Sequence, residues 1–258
     1  MSSALPSLIQ TQSFQIQFYD TEPGGLAGPP AICRYMEAAS HGQTQKLGLS
    51  LGQVLESNRM WVLSHLSLRV FDFPAVGDHV SVQTWATTRT KGIRAYRDFR
   101  MYDSNDRILA EASSFWLLLD ATTRRPVRLP ATVFQMCHDE SVEPEPVDVE
   151  VLESIPEDTA GEHFKTHWGD LDENGHANNI RYIEWMLASV PNQVRSKTRL
   201  KELKIQFKEE VRLGEELVSA SVPTNDATGF RLRHGLRSDQ RMIAVARTSW
   251  VKGADAPS

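Results

Sequence analysis

The sequence predicts an α+β fold made of two successive copies of one unit, in which a helix packs on an antiparallel sheet. Each half of the chain reads as a strand, a helix and about four strands joined by short turns. Three short sequence matches also recur in the same order, at offsets of 147, 134 and 137 residues. They pair 34–37 with 181–184, 107–116 with 241–250, and 76–78 with 213–215.

In the first half, an alternating segment at 14–19 predicts a strand. A Gly/Pro-rich stretch follows, and Pro30 suits the first turn of a helix. The helical spacing of Ile32, Tyr35, Met36 and Ala39 supports that helix. Four β-rich segments come next, at 60–73, 79–88, 93–102 and 107–119.

The second half repeats this order, with a strand at 162–168, a polar loop at 169–178 and a helix at 178–190. Further strands are predicted at 199–210, 215–223, 229–237 and 240–251. Between the halves, 138–160 is rich in Glu, Pro and Val, which is typical of an extended linker, although a long surface loop within one domain is the alternative. We therefore expect domains at 1–137 and 161–258.

Composition excludes several classes of protein. The chain has 258 residues and a net charge of -5, which argues against a general affinity for nucleic acid or anionic membranes. It contains no apolar run of about twenty residues, so we expect no membrane span. Residues 1–13 do not resemble a signal peptide, and Cys33 and Cys137 have no metal or redox spacing. The simplest predicted location is the cytoplasm.

The loop before the second helix carries the most informative chemistry. Asp172, Asn174 and His176 alternate there, so an extended backbone would point all three side chains the same way. Gly175 permits a sharp turn, and Asn178 can cap the helix that follows. The helix N-terminus offers N–H groups that could stabilise a carbonyl oxygen gaining negative charge. One short segment thus supplies a carboxylate, an amide and an imidazole.

This loop, with Asn179 and Tyr182 after it, resembles the active-site segment of plant and bacterial acyl-acyl carrier protein thioesterases. In that family, a later strand supplies a further acid, which matches Glu210 here. The family's cysteine position is occupied by Val211, so no thiol nucleophile can act there. The resemblance implies a tandem (double) hotdog fold and a catalytic set of Asp172, Asn174, His176 and Glu210.

The resemblance also implies a function, the hydrolysis of fatty acyl thioesters on acyl carrier protein to release free fatty acid, and we expect no cofactor. Either water or Asp172 itself would attack the carbonyl carbon, and the sequence leaves both routes open. The matching segment of the first half, 18–25, keeps acids but lacks Asn-x-His. That half is therefore expected to be non-catalytic, and the resemblance implies that its interior holds the acyl chain.

Other functions fit parts of the pattern. An acyl-CoA thioesterase, a non-catalytic acyl-binding module and a hotdog dehydratase are the alternatives on this fold. The histidines His163 and His167 lie near the loop, but they stand in a predicted strand and lack a zinc-site spacing, so we expect no metal.

A basic stretch within this acidic chain suggests where an acidic partner could dock. Acyl carrier proteins are strongly acidic, and cations cluster shortly after the second helix. We expect docking there, although a solvated strand face is the alternative. The two tandem units could either stand in for a dimer of single units or pair again as a homodimer. The predicted docking residues are Arg195, Lys197, Arg199 and Lys201.

Overall fold

A computed structural model gives the structure of residues 8–46, 49, 51–142, 147–224, 230–239 and 241–252. The chain divides into two compact units. The first contains residues up to Ser64 together with Phe71–Val147, and the second contains His65–Val70 together with the residues from Asp148 onward. One β-strand therefore contributes its first half to one unit and its second half to the other.

The first unit is an antiparallel sheet with one long helix. Its strands run in the order β1-β3-β4-β5-β2, and a short β6 pairs in parallel with β3. The helices are α1 (Pro29–Lys46), α2 (Leu51–Glu56) and α3 (Ala131–Phe134). The strands are β1 (Gln10–Gln15), β2 (Arg59–Val70), β3 (His79–Thr87), β4 (Arg94–Tyr102), β5 (Ile108–Asp120) and β6 (Cys137–His138).

Helix α1 supplies the core side of the first unit. Its buried Ile32, Met36 and Ala39 recur at helical spacing, and the helix packs on β1 and β3. Pro29 and Pro30 occupy its first turn, where a missing N–H group costs nothing because that group would have no partner within the helix.

The second unit repeats this design. Its strands run in the order β8-β11-β10-β9-β7, and residues 65–69 of β2 pair antiparallel with β8. Ile183, Met186 and Leu187 are buried on α4, which packs on β9 and β10. The helices are α4 (Asn179–Ala188) and α5 (Asn192–Arg195), and the strands are β7 (Glu162–Lys165), β8 (Thr198–Phe207), β9 (Glu216–Pro223), β10 (Phe230–Ser238) and β11 (Arg241–Lys252).

Residues 148–160, which belong to the second unit, have an irregular backbone that is held by packing and ion pairs. Residues 148–160 form no helix or strand, yet Leu152 and Ile155 are buried. The Glu150 carboxylate lies 2.6 Å from Lys204 Nζ and 2.5 Å from Arg247 Nη1, so its acidic charge is matched by cations of the second sheet. Pro144 and Pro146, on which the linker prediction partly rested, lie outside the described residues.

The predicted α+β class is confirmed, and most element boundaries agree within three residues. The first strand differs, because pairing with β3 ends at Gln15 and the chain then forms a 3₁₀ turn at Phe18–Asp20. The sequence match of 34–37 with 181–184 also differs from the structure. It has an offset of 147 residues, whereas α1 and α4 begin 150 residues apart. Among the described residues, no helix is long and apolar enough to cross a membrane.

Candidate active site

The loop that leads into α4, here called the second loop (residues 171–178), folds back on itself. The Asp172 N–H group donates to the His176 carbonyl over 2.7 Å, and the Gly175 N–H group donates to the Asp172 carbonyl over 3.0 Å. Gly175 has a φ of 74°, a backbone conformation that costs a residue with a Cβ atom free energy. This turn fixes the spacing of the polar side chains that it carries.

Asp172 braces the second loop through its side chain. Its Oδ1 atom accepts hydrogen bonds from the N–H groups of Asn174, at 2.8 Å, and His176, at 3.2 Å. The Asn174 amide nitrogen lies 3.5 Å from Asp172 Oδ2. Aspartate commonly bonds its own backbone in this way, so Asp172 has a structural role whatever its chemical one.

His176 lies against Glu210, which comes from the segment after β8. The His176 Nε2 atom is 3.3 Å from Glu210 Oε2, and the two side chains are 18% and 25% exposed. The Ala177 N–H group donates to the Val211 carbonyl over 2.8 Å, which keeps the two segments side by side. The structure therefore places an imidazole and a carboxylate in contact, with partial access to solvent.

Glu210 stands just beyond the end of β8 rather than within a strand. The N–H groups of Lys208 and Glu209 both donate to the Ile243 carbonyl, at 2.9 and 3.1 Å, which ends the regular ladder. The Tyr182 hydroxyl then donates to the Glu209 carbonyl over 3.2 Å and accepts from the Val211 N–H group over 2.9 Å. The sequence comparison identified Tyr182 only as part of the family motif, and no role was predicted for it.

Asn178 caps α4, as the sequence predicted. Its side-chain oxygen accepts from the Ile180 N–H group over 2.8 Å. Its carbonyl accepts from the Arg181 N–H group over 2.9 Å. Two donors of the first helical turn are therefore already engaged within the protein.

Asp170 and Arg181 form a support beneath the second loop that sequence reasoning missed. Arg181 Nε lies 3.2 Å from Asp170 Oδ1, and its Nη2 atom donates to the Gly169 carbonyl over 3.2 Å. The Asp170 carbonyl also accepts from the Asn178 N–H group over 2.9 Å. Asp20 occupies the matching 3₁₀ turn of the first half, and this recurrence was the one sequence signal available.

The predicted docking cations lie at the start of β8 and on the short helix before it. Arg195 ends α5, Lys197 and Lys201 are exposed, and Arg199 is half-buried. Lys204, further along the strand, is engaged by Glu150.

Across the described ranges, no three His, Cys, Asp or Glu side chains lie close enough together to hold a metal ion.

Two tandem helix-on-sheet units give the chain a double-hotdog architecture, and the second unit brings acids and an imidazole together at the N-terminus of its helix. The acyl-ACP thioesterase N-terminal domain matches residues 8–137, and the acyl-ACP thioesterase C-terminal domain matches residues 153–252. The chain belongs to the acyl-acyl carrier protein thioesterase family.

Similar proteins cover nearly the whole chain. It is 30% identical to a chloroplast palmitoyl-acyl carrier protein thioesterase of Cuphea hookeriana, over 94% of this chain and 62% of that protein. A palmitoyl-acyl carrier protein thioesterase of Arabidopsis thaliana is 28% identical over 94% of this chain and 64% of its own length. The chain thus spans somewhat less than two thirds of these relatives.

Solved structures show the same fold. The 12:0-ACP thioesterase from Umbellularia californica has a TM-score of 0.86 at 21% identity, over 97% of this chain and all of that one. An acyl-ACP thioesterase from Bacteroides thetaiotaomicron has a TM-score of 0.82 at 21% identity, over 95% of this chain and 98% of that one.

Proposed function

We propose that this protein hydrolyses the thioester bond of a fatty acyl chain carried on acyl carrier protein and releases a free fatty acid. The observation that carries the proposal is the contact between His176 and Glu210 beside the loop that Asp172 braces. Family membership supports it, because the relatives are named as thioesterases or hydrolases of acyl carrier protein substrates. The proposed catalytic residues are Asp172, Asn174, His176 and Glu210.

In the mechanism that we favour, water attacks the carbonyl carbon. His176, with Glu210 3.3 Å away, accepts a proton from that water, and the carboxylate stabilises the imidazolium that forms. The proton then passes to the departing thiolate. Asn174 holds that water in place through its amide group.

The bonding of Asp172 favours this route over direct attack by its carboxylate. Two backbone N–H groups already donate to Oδ1, and such bonds stabilise the anion and reduce its nucleophilicity. If Asp172 were the nucleophile, acid-quenched enzyme would carry an acyl group on that residue. Intact-mass measurement during turnover should detect no such adduct.

The oxyanion requires donors beyond those already bonded. The N–H groups of Ile180 and Arg181 have partners within the helix cap. The Asn178 N–H group also has a partner, the Asp170 carbonyl. The Asn179 N–H group, at the start of α4, would therefore bind the carbonyl oxygen, helped by the positive end of the helix dipole.

We also propose a division of labour between domains at 1–137 and 161–258, with 138–160 as the linker. The first domain would hold the acyl chain, and the second would carry out the chemistry. The separate N-terminal and C-terminal family matches support two domains, and the absence of Asn-x-His from the matching segment at 18–25 supports a non-catalytic first half.

The direct test is mass spectrometry of the fatty acids released from a mixed acyl-acyl carrier protein pool. We expect free fatty acid, and a faster rate on carrier-protein substrates than on the matching CoA thioesters. Asp172→Ala or His176→Ala should lower turnover by at least about a hundredfold. Equal rates for both variants and the parent protein would refute the site, and binding without release would favour an acyl-binding module.

The acidic carrier protein is proposed to dock on Arg195, Lys197, Arg199 and Lys201. Reversing Arg199 and Lys201 to Glu should raise KM several-fold at low salt, with a smaller effect at high salt, because exposed charges are screened. Reversing the exposed Arg125 and Arg128 of the first unit changes the net charge equally and serves as the control. The same KM increase in both variants would place docking elsewhere.

We further propose a reducing compartment such as the cytoplasm, because Cys33 and Cys137 are both free thiols. Homodimer formation stays a prediction, and light scattering on the purified protein would decide it.

A further inference from the structure

The Tyr182 hydroxyl contacts the backbone on both sides of Glu210. It donates to the carbonyl of the preceding residue, Glu209, and accepts from the N–H group of the following residue, Val211. A single oxygen atom therefore holds both peptide groups that flank the acid. The two bonds fix where the Glu210 backbone lies relative to α4.

We propose that Tyr182 is a positioning residue that holds Glu210 against His176. This inference rests on the proposed function, because it assigns a purpose to a residue that need not touch the substrate. Helix α4 then controls both parts of the site. Its capped N-terminus fixes the second loop, and its second turn fixes the acid from the segment after β8.

The surroundings of Tyr182 suit this role. The residue is 3% exposed, and its ring lies 5.4 Å from the Phe207 ring and 5.8 Å from the Trp185 ring, measured between centroids. Those contacts fix the ring, so the hydroxyl has little freedom to move. Burial also raises the pKa of Tyr182, which keeps the hydroxyl protonated and able to donate.

The first unit offers an internal control, because its backbone follows the same path. The Ala27 N–H group donates to the Pro74 carbonyl over 2.8 Å, just as Ala177 bonds Val211 over 2.8 Å. The position matching Tyr182, 150 residues earlier, is therefore Ile32, which has no hydroxyl group.

The first unit also lacks a counterpart of the N–H group that donates to the Tyr182 hydroxyl. Pro74 matches Val211 and has no N–H group to offer, while Phe73 matches Glu210. The hydroxyl, the N–H group that it accepts from and the acid that they flank are thus all absent together. If the tyrosine served only the fold, there would be no reason for its loss to accompany the loss of the acid.

Other bonds would preserve the turn without the hydroxyl. Arg241 pairs with Glu209 and with Glu215, each over 2.7 Å, and so connects the two ends of the same turn. We therefore expect Tyr182→Phe to fold, since it keeps the ring packing and removes only the oxygen. The Glu210 carboxylate would then sample more positions relative to His176.

The first experiment compares Tyr182→Phe with Tyr35→Phe in steady-state hydrolysis of acyl-acyl carrier protein. Tyr35 is the matched control, because its hydroxyl donates to Asp20 over 2.6 Å from the helix of the first unit. Tyr182→Phe should lower kcat by about tenfold to a hundredfold with KM within about twofold, since misplacing a reacting group slows the chemical step more than binding. Tyr35→Phe should keep both constants within about twofold of the parent.

The second experiment places Tyr182→Phe in a Glu210→Ala background. If the tyrosine acts through the acid, removing its hydroxyl should change kcat less than about twofold once Glu210 is gone. Equal fold losses in the two backgrounds would overturn the positioning role. Thermal unfolding of all four proteins separates a loss of activity from a loss of folded protein.

The outcomes also separate this inference from the proposed function. If Glu210→Ala retains full hydrolysis, the assignment of the acid fails. If Glu210→Ala is impaired while Tyr182→Phe matches the parent protein, only the positioning role is overturned.

Discussion

The loops that lead into the two long helices share one backbone but carry different side chains. In the first loop (residues 21–28), the Glu22 N–H group donates to the Leu26 carbonyl over 2.8 Å, and Gly25 has a φ of 75°. In the second loop, Asp172 and His176 form the same bond over 2.7 Å, and Gly175 has a φ of 74°. The conformation therefore belongs to the fold and does not by itself identify an active site.

The side chains distinguish the two loops. Where the second unit has Asp172, Asn174, His176 and Glu210, the first has Glu22, Gly24, Leu26 and Phe73. One carboxylate remains, but the amide, the imidazole and the second acid are replaced by groups that cannot transfer a proton. Comparison of the two loops therefore separates the residues that the turn requires from those that the proposed chemistry requires.

The largest expected effect comes from neutralising the matched acids. Asp172→Asn should reduce kcat by about a hundredfold or more, because a charged group at the reacting centre is lost. Glu22→Gln should leave kcat within about twofold, since no imidazole faces it from position 26. Steady-state fatty acid release measures both, and similar losses in the two variants would mean that both loops take part in the reaction.

The next effect is on stability at low pH. His234 is fully buried on β10, and burial lowers its pKa to about 4, partly offset by the Met186 carbonyl. Its Nε2 atom lies 2.9 Å from Thr248 Oγ1. The pKa of His234 is lower in the folded than in the unfolded chain, so its contribution to the free energy of unfolding is fully present above about pH 6.5. As the pH falls toward 4, the free energy of unfolding decreases by about 3 kcal/mol.

Phe99 supplies the matched variant for that prediction. The bulge after Met101 in β4 matches the bulge after Leu236 in β10, which pairs Phe99 with His234. His234→Phe should therefore flatten the pH dependence, as urea unfolding at pH 7.5 and pH 4.5 would show. An unchanged difference between those two pH values would assign the acid sensitivity to other groups.

The smallest effect concerns the two loop glycines. Neither has a neighbouring heavy atom within 4 Å of the point that a Cβ atom would occupy, so alanine would meet backbone strain and no clash. Gly25→Ala and Gly175→Ala should each lower the free energy of unfolding by about 1 kcal/mol. Only Gly175→Ala should also lower kcat. Equal kcat values would show that the second loop tolerates distortion.

The helix and strand pattern was predictable because each unit buries one face at regular spacing. Ile32 and Ile183, for example, lie on the apolar stripes that the sequence predicts. The sequence alignment of the two helices was wrong by three residues. It relied on the similar residues at 34–37 and 181–184, whereas the glycine turns before the helices have the correct offset. Gly25 and Gly175 would have given the correct alignment.

The resemblance proposes a set of candidate site residues, which stays a prediction, and the sequence does not predict the geometry that brings them together. The resemblance identified Glu210, yet the predicted strand extended to residue 210, whereas β8 ends at Phe207. The early end of β8 depends on two N–H groups that share the Ile243 carbonyl and on the hydrogen bond from the Tyr182 hydroxyl. Both are contacts between segments that are distant in the sequence. No local pattern reports such contacts, since they form only when the sheet and helix pack together.

The division of β2 limits how the chain can be dissected. Leu66 and Leu68 pair with Ile205 and Leu203 of β8, so the sheet of the second unit includes a strand located about seventy residues before the linker at 138–160. A truncated protein that starts at that segment would expose an unpaired edge along β8, which invites aggregation. Separately expressed halves would therefore be poor surrogates for the intact polypeptide, and co-expression would be the sounder way to study either one.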